Sequence, residues 1–276
     1  MFNGSMEDKY VSVERLLGDR LGNKVPGWAI WLARHILHEK WLNKCIDRGY
    51  TGIDFAEDTS KNYLNVKVKV EGLENLDPNG RYTIVANHSQ GGNDSLALLY
   101  VFGRHLNGDV RIMANELLME LKPLRSCFVA VDKMRVTKDA SYRSLSQQTD
   151  AIFNSDASMI LYPAGRVSRR KHGKIQDVEW HKTFVTKSVQ FQRDVVPVHF
   201  YGRNTWRFYF LDWLGSVTGI NKKVPLSTLV LVDELKRTKN KSYRMVIGKP
   251  IPWTVFDNSR RPAEWAAWVK ELVYSL

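Results

Sequence analysis

The sequence predicts a single α/β domain in which helices flank a mixed, largely parallel sheet, with a helical appendage at the N-terminus. Its 276 residues suit one domain of this kind. Hydrophobic residues make up 43% of the chain, which is enough for a substantial core. Short apolar runs typical of strands alternate with stretches of helical periodicity, and this alternation is typical of a sheet covered by helices on both faces.

Eight runs rich in apolar and β-branched residues are predicted to form strands. In chain order they are Val66–Val70, Tyr82–Ala86, Val110–Ala114, Cys127–Val131, Met159–Tyr162, Val195–Phe200, Thr228–Val232 and Tyr243–Ile247. The predicted helices are Pro26–Ile46, Asp94–Leu106, Ala140–Asn154, Val178–Phe191 and Pro262–Tyr274. The first 60 residues contain no strand-like run, so we place the appendage in residues 1–60 and the α/β domain in residues 61–276.

Two aromatic stretches fit either a buried or a lipid-facing helix. The stretch from Pro26 to Leu42 carries tryptophan and leucine at helical spacing, after a proline that suits a helix start. It can pack on the core, or it can lie in a membrane interface with its tryptophans at headgroup depth. The stretch from Trp206 to Leu214 is equally rich in aromatic residues, and its composition leaves the same two possibilities open.

The chain carries an excess of positive charge. Lys and Arg total 41 against 29 for Asp and Glu, which gives a formal net charge of +12. This charge favours an anionic partner: a nucleic acid, an anionic membrane surface or an acidic protein. No apolar run is long enough to span a bilayer, and the first residues lack the apolar stretch of a secretory signal. Two distant cysteines cannot form a disulfide framework, so we expect an intracellular protein.

The segment after the second predicted strand carries the clearest chemical signal. The strand ends in Asn87 and His88, a bend with Gly91 and Gly92 follows, and Asp94 opens the next helix. Ligands of open α/β sheets bind at the carboxyl ends of strands. A histidine there can take a proton from a hydroxyl group while a nearby carboxylate orients its ring, and the amide groups of the bend are candidate oxyanion donors. An isolated histidine at a strand end is more often structural, so these residues alone leave both roles open.

A second segment combines a tight turn with a cluster of positive charge. A turn at 163–165 is followed by Arg166 and Arg169, whose guanidinium groups are suited to bind a phosphate or a carboxylate. The alternative is a solvated basic loop. Neither Ser95 nor Ser168 lies in a Gly-x-Ser-x-Gly elbow, which argues against a covalent acyl-enzyme. His88 and Asp94 alone do not make a metal site, so we predict no metal.

These two segments together resemble the glycerolipid acyltransferase superfamily. Its first motif is a histidine and an aspartate separated by four residues, whereas five separate His88 from Asp94. The longer spacing resembles a bacterial branch often labelled hemolysin, which contains the O-acyltransferases of ornithine-lipid and glycine-lipid synthesis. The third superfamily motif usually reads Phe-Pro-Glu-Gly, and this chain has Tyr-Pro-Ala-Gly at 162–165. Other stretches similar to that branch are Asp177–Trp180, Arg193–Phe200, Gly202–Asn204 and Gly248–Trp253.

The resemblance implies O-acyl transfer from a thioester, with His88 as general base and Asp94 as the supporting carboxylate. The implied acceptor is the 3-hydroxyl group of a lyso amino-acid lipid of glycine or ornithine type. Ala164 replaces the usual motif glutamate, which argues against a glycerol phosphate acceptor. The residues predicted to bind substrate are Asn87, Gly91, Gly92, Arg166, Ser168 and Arg169.

The same resemblance implies the partners and the location of the enzyme. We expect acyl carrier protein as donor, with acyl-CoA as its alternative, and no resident cofactor. We expect a peripheral protein on the anionic, cytoplasmic face of the inner membrane. One alternative is a 1-acylglycerol-3-phosphate acyltransferase of phospholipid synthesis. Another is a basic nucleic-acid- or membrane-binding protein without activity, although no nucleic-acid recognition motif is present and no nucleic acid is expected.

Overall fold

The computed structural model describes residues 10–15, 25–107, 109–131, 147, 149–171, 173–219, 221 and 226–276. It confirms an α/β domain built on a mixed, mostly parallel sheet. The strands are β1 Lys67–Glu71, β2 Tyr82–Ala86, β3 Val110–Asn115, β4 Phe128–Val131, β5 Ser158–Leu161, β6 Arg169–Lys171, β7 Lys174–Gln176, β8 Asp194–Tyr201 and β9 Ser242–Ile247.

Seven of these strands form one sheet in the order β1-β9-β8-β2-β5-β3-β4. Neighbouring strands are parallel except for β8 and β9, which are antiparallel. The strands β6 and β7 pair separately as an antiparallel hairpin. Because β2 lies in the interior of the sheet with all five of its residues buried, its sequence is continuously apolar instead of alternating.

Helices cover both faces of the sheet. They are α1 Gly27–Ile36, α2 Glu39–Ile46, α3 Gly52–Glu57, α4 Asn93–His105, α5 Thr183–Phe191, α6 Trp206–Val217, α7 Leu226–Leu229, α8 Leu231–Lys236 and α9 Pro262–Ser275. Ile84 packs in one core cluster with α4, α3 and the end of α2. Val85 points to the opposite face, where it packs with α5 and α9.

The predicted strand at Thr228–Val232 is wrong. This segment lies in α7 and α8 and in the turn between them. The run of leucine and valine resembles a buried strand in composition. However, Leu231 and Leu235 are spaced by one helical turn and together cover the glycine bend at the end of β2. Helical spacing therefore decides this element, because it allows both side chains to pack on the same neighbour.

Two predicted helices have different bounds in the structure. Pro26–Ile46 is two helices, because His38 adopts a left-handed conformation with φ of 50° between α1 and α2. The helix predicted at Val178–Phe191 begins only at Thr183, since Asp177–Trp180 is used as a loop around the end of β2. The predicted helix Ala140–Asn154 falls largely outside the described residues, although 149–154 are helical.

The N-terminal helical segment is attached to the core by its later part. Cys45 and Ile46 of α2 and Phe55 and Ala56 of α3 are buried in the main cluster, whereas α1 has no buried residue. The boundary predicted at residue 60 stays a prediction. Within the described ranges, no helix has both the length and the apolar character needed to cross a membrane.

Candidate active site

His88 and Asp94 face each other across the bend that joins β2 to α4. The Nδ1 atom of His88 lies 3.1 Å from Oδ2 of Asp94. The buried strand β2 delivers His88 to the edge of the core, where its side chain is 15% exposed. Asp94 lies in the first turn of α4 and is fully buried. The structure thus brings together the two residues that the sequence pairs as a dyad, with the histidine accessible to a substrate.

The surroundings of Asp94 keep it ionised. Burial alone raises its pKa, but the charge and hydrogen bond of His88 and the backbone amides of Gln90 and Gly91 outweigh burial and hold the pKa below its ordinary value. The Gln90 amide donates to Oδ2 at 3.0 Å, and the Ser95 amide donates to Oδ1 at 2.9 Å. An ionised Asp94 accepts the Nδ1–H of His88, which leaves the lone pair of Nε2 as the proton acceptor.

The ring of Tyr162 forms one wall of the site. It stacks on the His88 imidazole with centroids 3.8 Å apart and an interplanar angle of 18°. An aromatic face beside an imidazole stabilises its protonated form. Burial raises the pKa of the Tyr162 hydroxyl group well above its ordinary value, and the charge of Asp94 acts in the same direction. Tyr162 is therefore neutral and supports the histidine without competing with it as a base.

A second carboxylate, Asp177, lies beside His88, and the sequence patterns predict no role for it. The His88 amide donates to both of its oxygens at 3.3 Å, the Ser168 hydroxyl group donates at 2.6 Å, and the Trp180 indole donates at 2.9 Å. Asp177 is buried, which raises its pKa against the opposing effect of the Ser168 and Trp180 hydrogen bonds. The sequence feature that includes Asp177 is the stretch Asp177–Trp180, which is similar to the bacterial branch of the superfamily. Asp177 lies 89 residues from His88 in the chain, so no local pattern pairs the two residues.

The glycine bend packs tightly beneath α8. Gly91 has φ of +89°, and a Cβ atom there would lie 2.9 Å from Leu231 Cδ2 and 3.0 Å from Val167 Cγ2. A Cβ atom on Gly92 would lie 3.4 Å from Leu235. The bend therefore needs glycine at position 91 both for its backbone conformation and for space. The backbone amide of Gly91 helps to lower the pKa of Asp94, and the oxyanion role predicted for the amides of this bend stays a prediction.

Two of the predicted substrate-binding side chains are buried and bonded within the protein. Asn87 bridges β2 and β8, because its amide nitrogen donates to the Phe200 carbonyl at 3.1 Å and its oxygen accepts the Phe200 amide at 2.7 Å. Ser168 donates its hydroxyl group to Asp177, and its amide donates to the His88 carbonyl at 2.7 Å. Both residues fix the backbone around His88, and a direct contact with substrate stays a prediction.

The two predicted arginines differ in their surroundings. Arg169 is nearly buried, lies 3.1 Å from Asp212 and has its guanidinium group 5.0 Å from the Phe208 ring centroid. Burial lowers the pKa of Arg169, although the charge of Asp212 opposes this. Arg166 is exposed in the turn after β5, and its positive charge lowers the pKa of Arg169 further. Arg166 is therefore the better placed of the two to meet an anionic group of a substrate.

A further prediction concerns a metal ion at this site. In the described part of the chain, no group of three or more His, Cys, Asp or Glu side chains could hold a metal ion. That a metal is not needed stays a prediction.

His88, paired with the buried carboxylate of Asp94, lies beside the segment that follows the exposed Arg166. Comparison with known proteins gives the family of the chain. The model of the acyltransferase family matches residues 15–276, which is nearly the whole chain. The chain belongs to that acyltransferase family. The resemblance predicted from the sequence is therefore confirmed, and this acyltransferase is an enzyme rather than a binding protein without activity.

Curated relatives of this acyltransferase share most of its length. It is 41% identical over 271 residues to the lyso-glycine lipid O-acyltransferase of Phocaeicola vulgatus, covering 96% of this chain and 95% of that protein. It is 42% identical over 254 residues to the lyso-glycine lipid O-acyltransferase of Bacteroides thetaiotaomicron, covering 91% of each. The solved structure of the 1-acyl-sn-glycerophosphate acyltransferase from Thermotoga maritima is 17% identical with a TM-score of 0.49, covering 85% of this chain and 78% of that one.

Proposed function

We propose that this acyltransferase transfers a fatty acyl group from a thioester to the 3-hydroxyl group of a lyso-glycine lipid, with His88 as general base. The observation that carries the proposal is the hydrogen bond between His88 Nδ1 and Asp94 Oδ2, at a partly exposed strand end. This hydrogen-bonded pair supplies a base that can take a proton from a hydroxyl group. The chain that carries it is 41–42% identical to two lyso-glycine lipid O-acyltransferases. Ornithine-type acceptors, which share the carboxylate and the 3-hydroxyl group, are the related alternative.

The reaction follows from the orientation of the imidazole. Nε2 of His88 takes the proton of the acceptor hydroxyl group as its oxygen attacks the thioester carbonyl carbon. Asp94, bonded to Nδ1, stabilises the imidazolium that forms. Collapse of the tetrahedral intermediate breaks the carbon–sulfur bond, and the imidazolium returns its proton to the departing thiolate. The products are an ester and a thiol, and these steps need no resident cofactor.

We assign Arg166 as the residue that binds the carboxylate of the acceptor. Its guanidinium group is exposed in the turn after β5, next to the segment that Ser168 joins to His88. Guanidinium groups bind carboxylates through paired hydrogen bonds. Arg169 is tied to Asp212 and supports this turn from inside. This arrangement would orient a glycine headgroup so that its acyl 3-hydroxyl group reaches the imidazole.

We assign acyl carrier protein as the acyl donor, and we place the enzyme at the cytoplasmic face of the inner membrane. The net charge of +12 suits both an acidic carrier and an anionic lipid surface. Acyl-CoA carries the same thioester and is the competing donor. Neither donor nor location alters the proton transfer at His88.

An acceptor panel tests the proposal. Purified enzyme is assayed in detergent with acyl carrier protein or CoA thioesters, against lyso-glycine lipid, lyso-ornithine lipid and lysophosphatidic acid. We expect the highest kcat/KM with lyso-glycine lipid. Preference for lysophosphatidic acid would overturn the assignment in favour of phospholipid synthesis. In a bacterial host, lipid mass spectrometry should show doubly acylated glycine lipids only when an N-acyltransferase that makes the acceptor is expressed too.

The headgroup contact is tested by a matched pair of arginine variants. Arg166→Ala should raise the KM for lyso-glycine lipid about tenfold, because one charge-assisted contact with a carboxylate is lost. Arg170→Ala removes the same charge from a neighbouring exposed position and should leave KM near the wild-type value. Equal KM values for the two variants would exclude Arg166 as the headgroup contact.

A further inference from the structure

An uninterrupted row of apolar side chains is exposed along α6. Trp206, Phe210, Trp213 and Val217 are 72%, 46%, 58% and 67% exposed. Their spacing of four, three and four residues places them on one face of the helix. Successive rings of this row lie 5.9 Å and 5.8 Å apart. Soluble monomers rarely expose a large contiguous apolar patch, and those that exist are often binding surfaces.

Helix α1 presents a second exposed apolar row. Trp28, Trp31 and Leu32 are 71%, 60% and 44% exposed, at the i, i+3, i+4 spacing of one helix face. No residue of α1 is buried. The packing of the domain therefore does not explain why these large side chains are apolar.

One carboxylate joins the segment that follows α1 to the start of α6. Oδ1 of Asp233 lies 3.4 Å from Nε2 of His38, which lies between α1 and α2, and Oδ2 accepts a hydrogen bond from Nη1 of Arg207 at 3.0 Å. Arg207 lies in the first turn of α6, directly after Trp206. The end of α1 and the start of α6 are thus joined through α8. We call the seven side chains of the two rows the aromatic surface.

The border of the aromatic surface is positively charged. The acidic side chain of α6 is Asp212, and it pairs with Arg169 at 3.1 Å. Lys171 shares a strand face with Arg169 on β6, which contacts α6, and Arg203 is exposed three residues before Trp206. An apolar row bordered by lysine and arginine complements a bilayer, because aromatic side chains favour the headgroup region and cations pair with anionic headgroups.

The aromatic surface is connected to the active site by few contacts. Arg169 joins α6 to the segment that contains Ser168, whose amide donates to the His88 carbonyl. Leu231 of α8, the helix whose Asp233 joins the two rows, packs over the glycine bend at Gly91. The helices α6 and α8 are thus linked by these contacts to the residues that surround His88.

We propose that the aromatic surface docks on an anionic lipid bilayer, with its tryptophans at headgroup depth, and that the acyl acceptor enters from that bilayer. The inference rests on the proposed function for the identity of the acceptor, whereas docking itself does not depend on it. Embedding the rings buries apolar area, and the bordering cations add electrostatic attraction. Docking on a bilayer gives the two exposed apolar rows a function, whereas an acceptor taken from solution would leave their exposure unexplained.

Vesicle co-sedimentation of the full chain tests the docking. Vesicles of phosphatidylcholine mixed with phosphatidylglycerol should bind the protein more tightly than phosphatidylcholine alone. Trp206→Ser combined with Trp213→Ser should weaken binding to the mixed vesicles at least tenfold, on the order expected from the apolar area removed. The matched control is Val189→Ser combined with Val255→Ser, two exposed apolar residues that border the other core cluster; it should bind as the wild type does.

Activity measurements separate docking from chemistry. In detergent micelles the double tryptophan variant should transfer acyl groups at a rate near that of the wild type, while on vesicle-embedded acceptor its rate should fall with its binding. Unchanged vesicle binding would overturn the proposal. A dimeric wild type whose double tryptophan variant is monomeric would assign the surface to a second copy and overturn it too. If the wild type binds vesicles but acylates no lyso-glycine lipid, the proposed function fails and the docking stands.

Discussion

The carboxylate of Asp177 accepts a hydrogen bond from the hydroxyl group of Ser168 at 2.6 Å. The same carboxylate accepts the backbone amide of His88, and the amide of Ser168 donates to the His88 carbonyl. Three hydrogen bonds therefore fasten the end of β2 to the basic turn that carries Arg166. The proposed general base and the proposed headgroup contact lie on segments distant in sequence, and these hydrogen bonds hold the two segments together.

The Asp177–Ser168 link predicts a specific kinetic defect. In Asp177→Asn, an NH2 group would replace one carboxylate oxygen and would face N–H and O–H donors. The hydrogen bond that holds the backbone of His88 would therefore be weakened or lost. We expect kcat to fall about 10²-fold, because such a misplacement is costly to proton transfer, while KM for the thioester changes little. Steady-state kinetics and the thermal unfolding midpoint are measured together.

Ser168→Ala is the companion variant for this prediction. It removes one donor to Asp177 but keeps the backbone bond to the His88 carbonyl. Its kcat should lie between those of the wild type and Asp177→Asn. A loss of thermal stability in Asp177→Asn with kcat unchanged in the folded fraction would show that Asp177 only stabilises the fold.

The proposed roles of His88 and Asp94 predict strong and related losses of activity. His88→Ala removes the base, and Asp94→Asn removes the charge that orients and supports it, so each should lower kcat by about 10²–10⁴-fold. The double variant should lose little more than His88→Ala alone, since the two groups act as one unit. His105→Gln is the control, because His105 lies at the other end of α4 and contacts the Leu76 carbonyl. Wild-type transfer by purified His88→Ala would exclude this mechanism.

Much of the fold follows from local sequence patterns. The bounds of β2 and the start of α9 agree with the prediction, because a continuous apolar run and a proline at a helix start are local signals. The strand predicted at Thr228–Val232 is wrong, because the helical state of this segment depends on Leu231 and Leu235 packing against a glycine bend about 140 residues away in the chain. Such contacts are not visible in a local window.

The same distinction applies to the site. His88 and Asp94 are six positions apart, so a local pattern pairs them, and the structure places them in contact. Asp177 lies 89 residues from His88 and was not found, because its role depends on the folded arrangement of two loops. Tyr162 was noted only as part of a motif, whereas its stacking on His88 depends on the pairing of β2 with β5.

The ionisation of Asp94 predicts how stability depends on pH. Its folded pKa is below the ordinary value of 3.8, despite burial, because His88, Gln90 and Gly91 stabilise the carboxylate. A depressed carboxyl pKa contributes stability that is present above the unfolded pKa and is lost as pH falls through the folded pKa. Between about pH 5 and pH 2, the free energy of unfolding should therefore fall more steeply for the wild type than for Asp94→Asn. Parallel urea-unfolding profiles across this range would contradict the assignment.

Arg193 predicts a large effect on stability remote from the chemistry. It is fully buried, and it donates to the carbonyl groups of Phe153, Ala157, Ile152 and Ser155 at 2.7, 2.6, 3.3 and 2.5 Å. Burial lowers the pKa of Arg193 to about 10, so it remains charged at neutral pH. The N–H groups of the Arg193 guanidinium cap the C-terminal end of the helical segment 149–154. The last carbonyl groups of a helix have no partner within the helix.

Arg193→Met should therefore lower the free energy of unfolding by about 2–4 kcal/mol, because it removes the donor to the carbonyl groups of the buried residues Phe153 and Ala157. The carbonyl groups of Ile152 and Ser155 keep the Ser155 and Arg81 donors. Arg81→Met is the matched control. Arg81 donates at longer distances to the carbonyl groups of Ser155 and Phe191, where water can replace it, and we expect its loss to cost less than about 1 kcal/mol. Denaturant unfolding of both variants measures the difference. Equal, small losses would mean that water enters and pairs the carbonyl groups that Arg193 now covers.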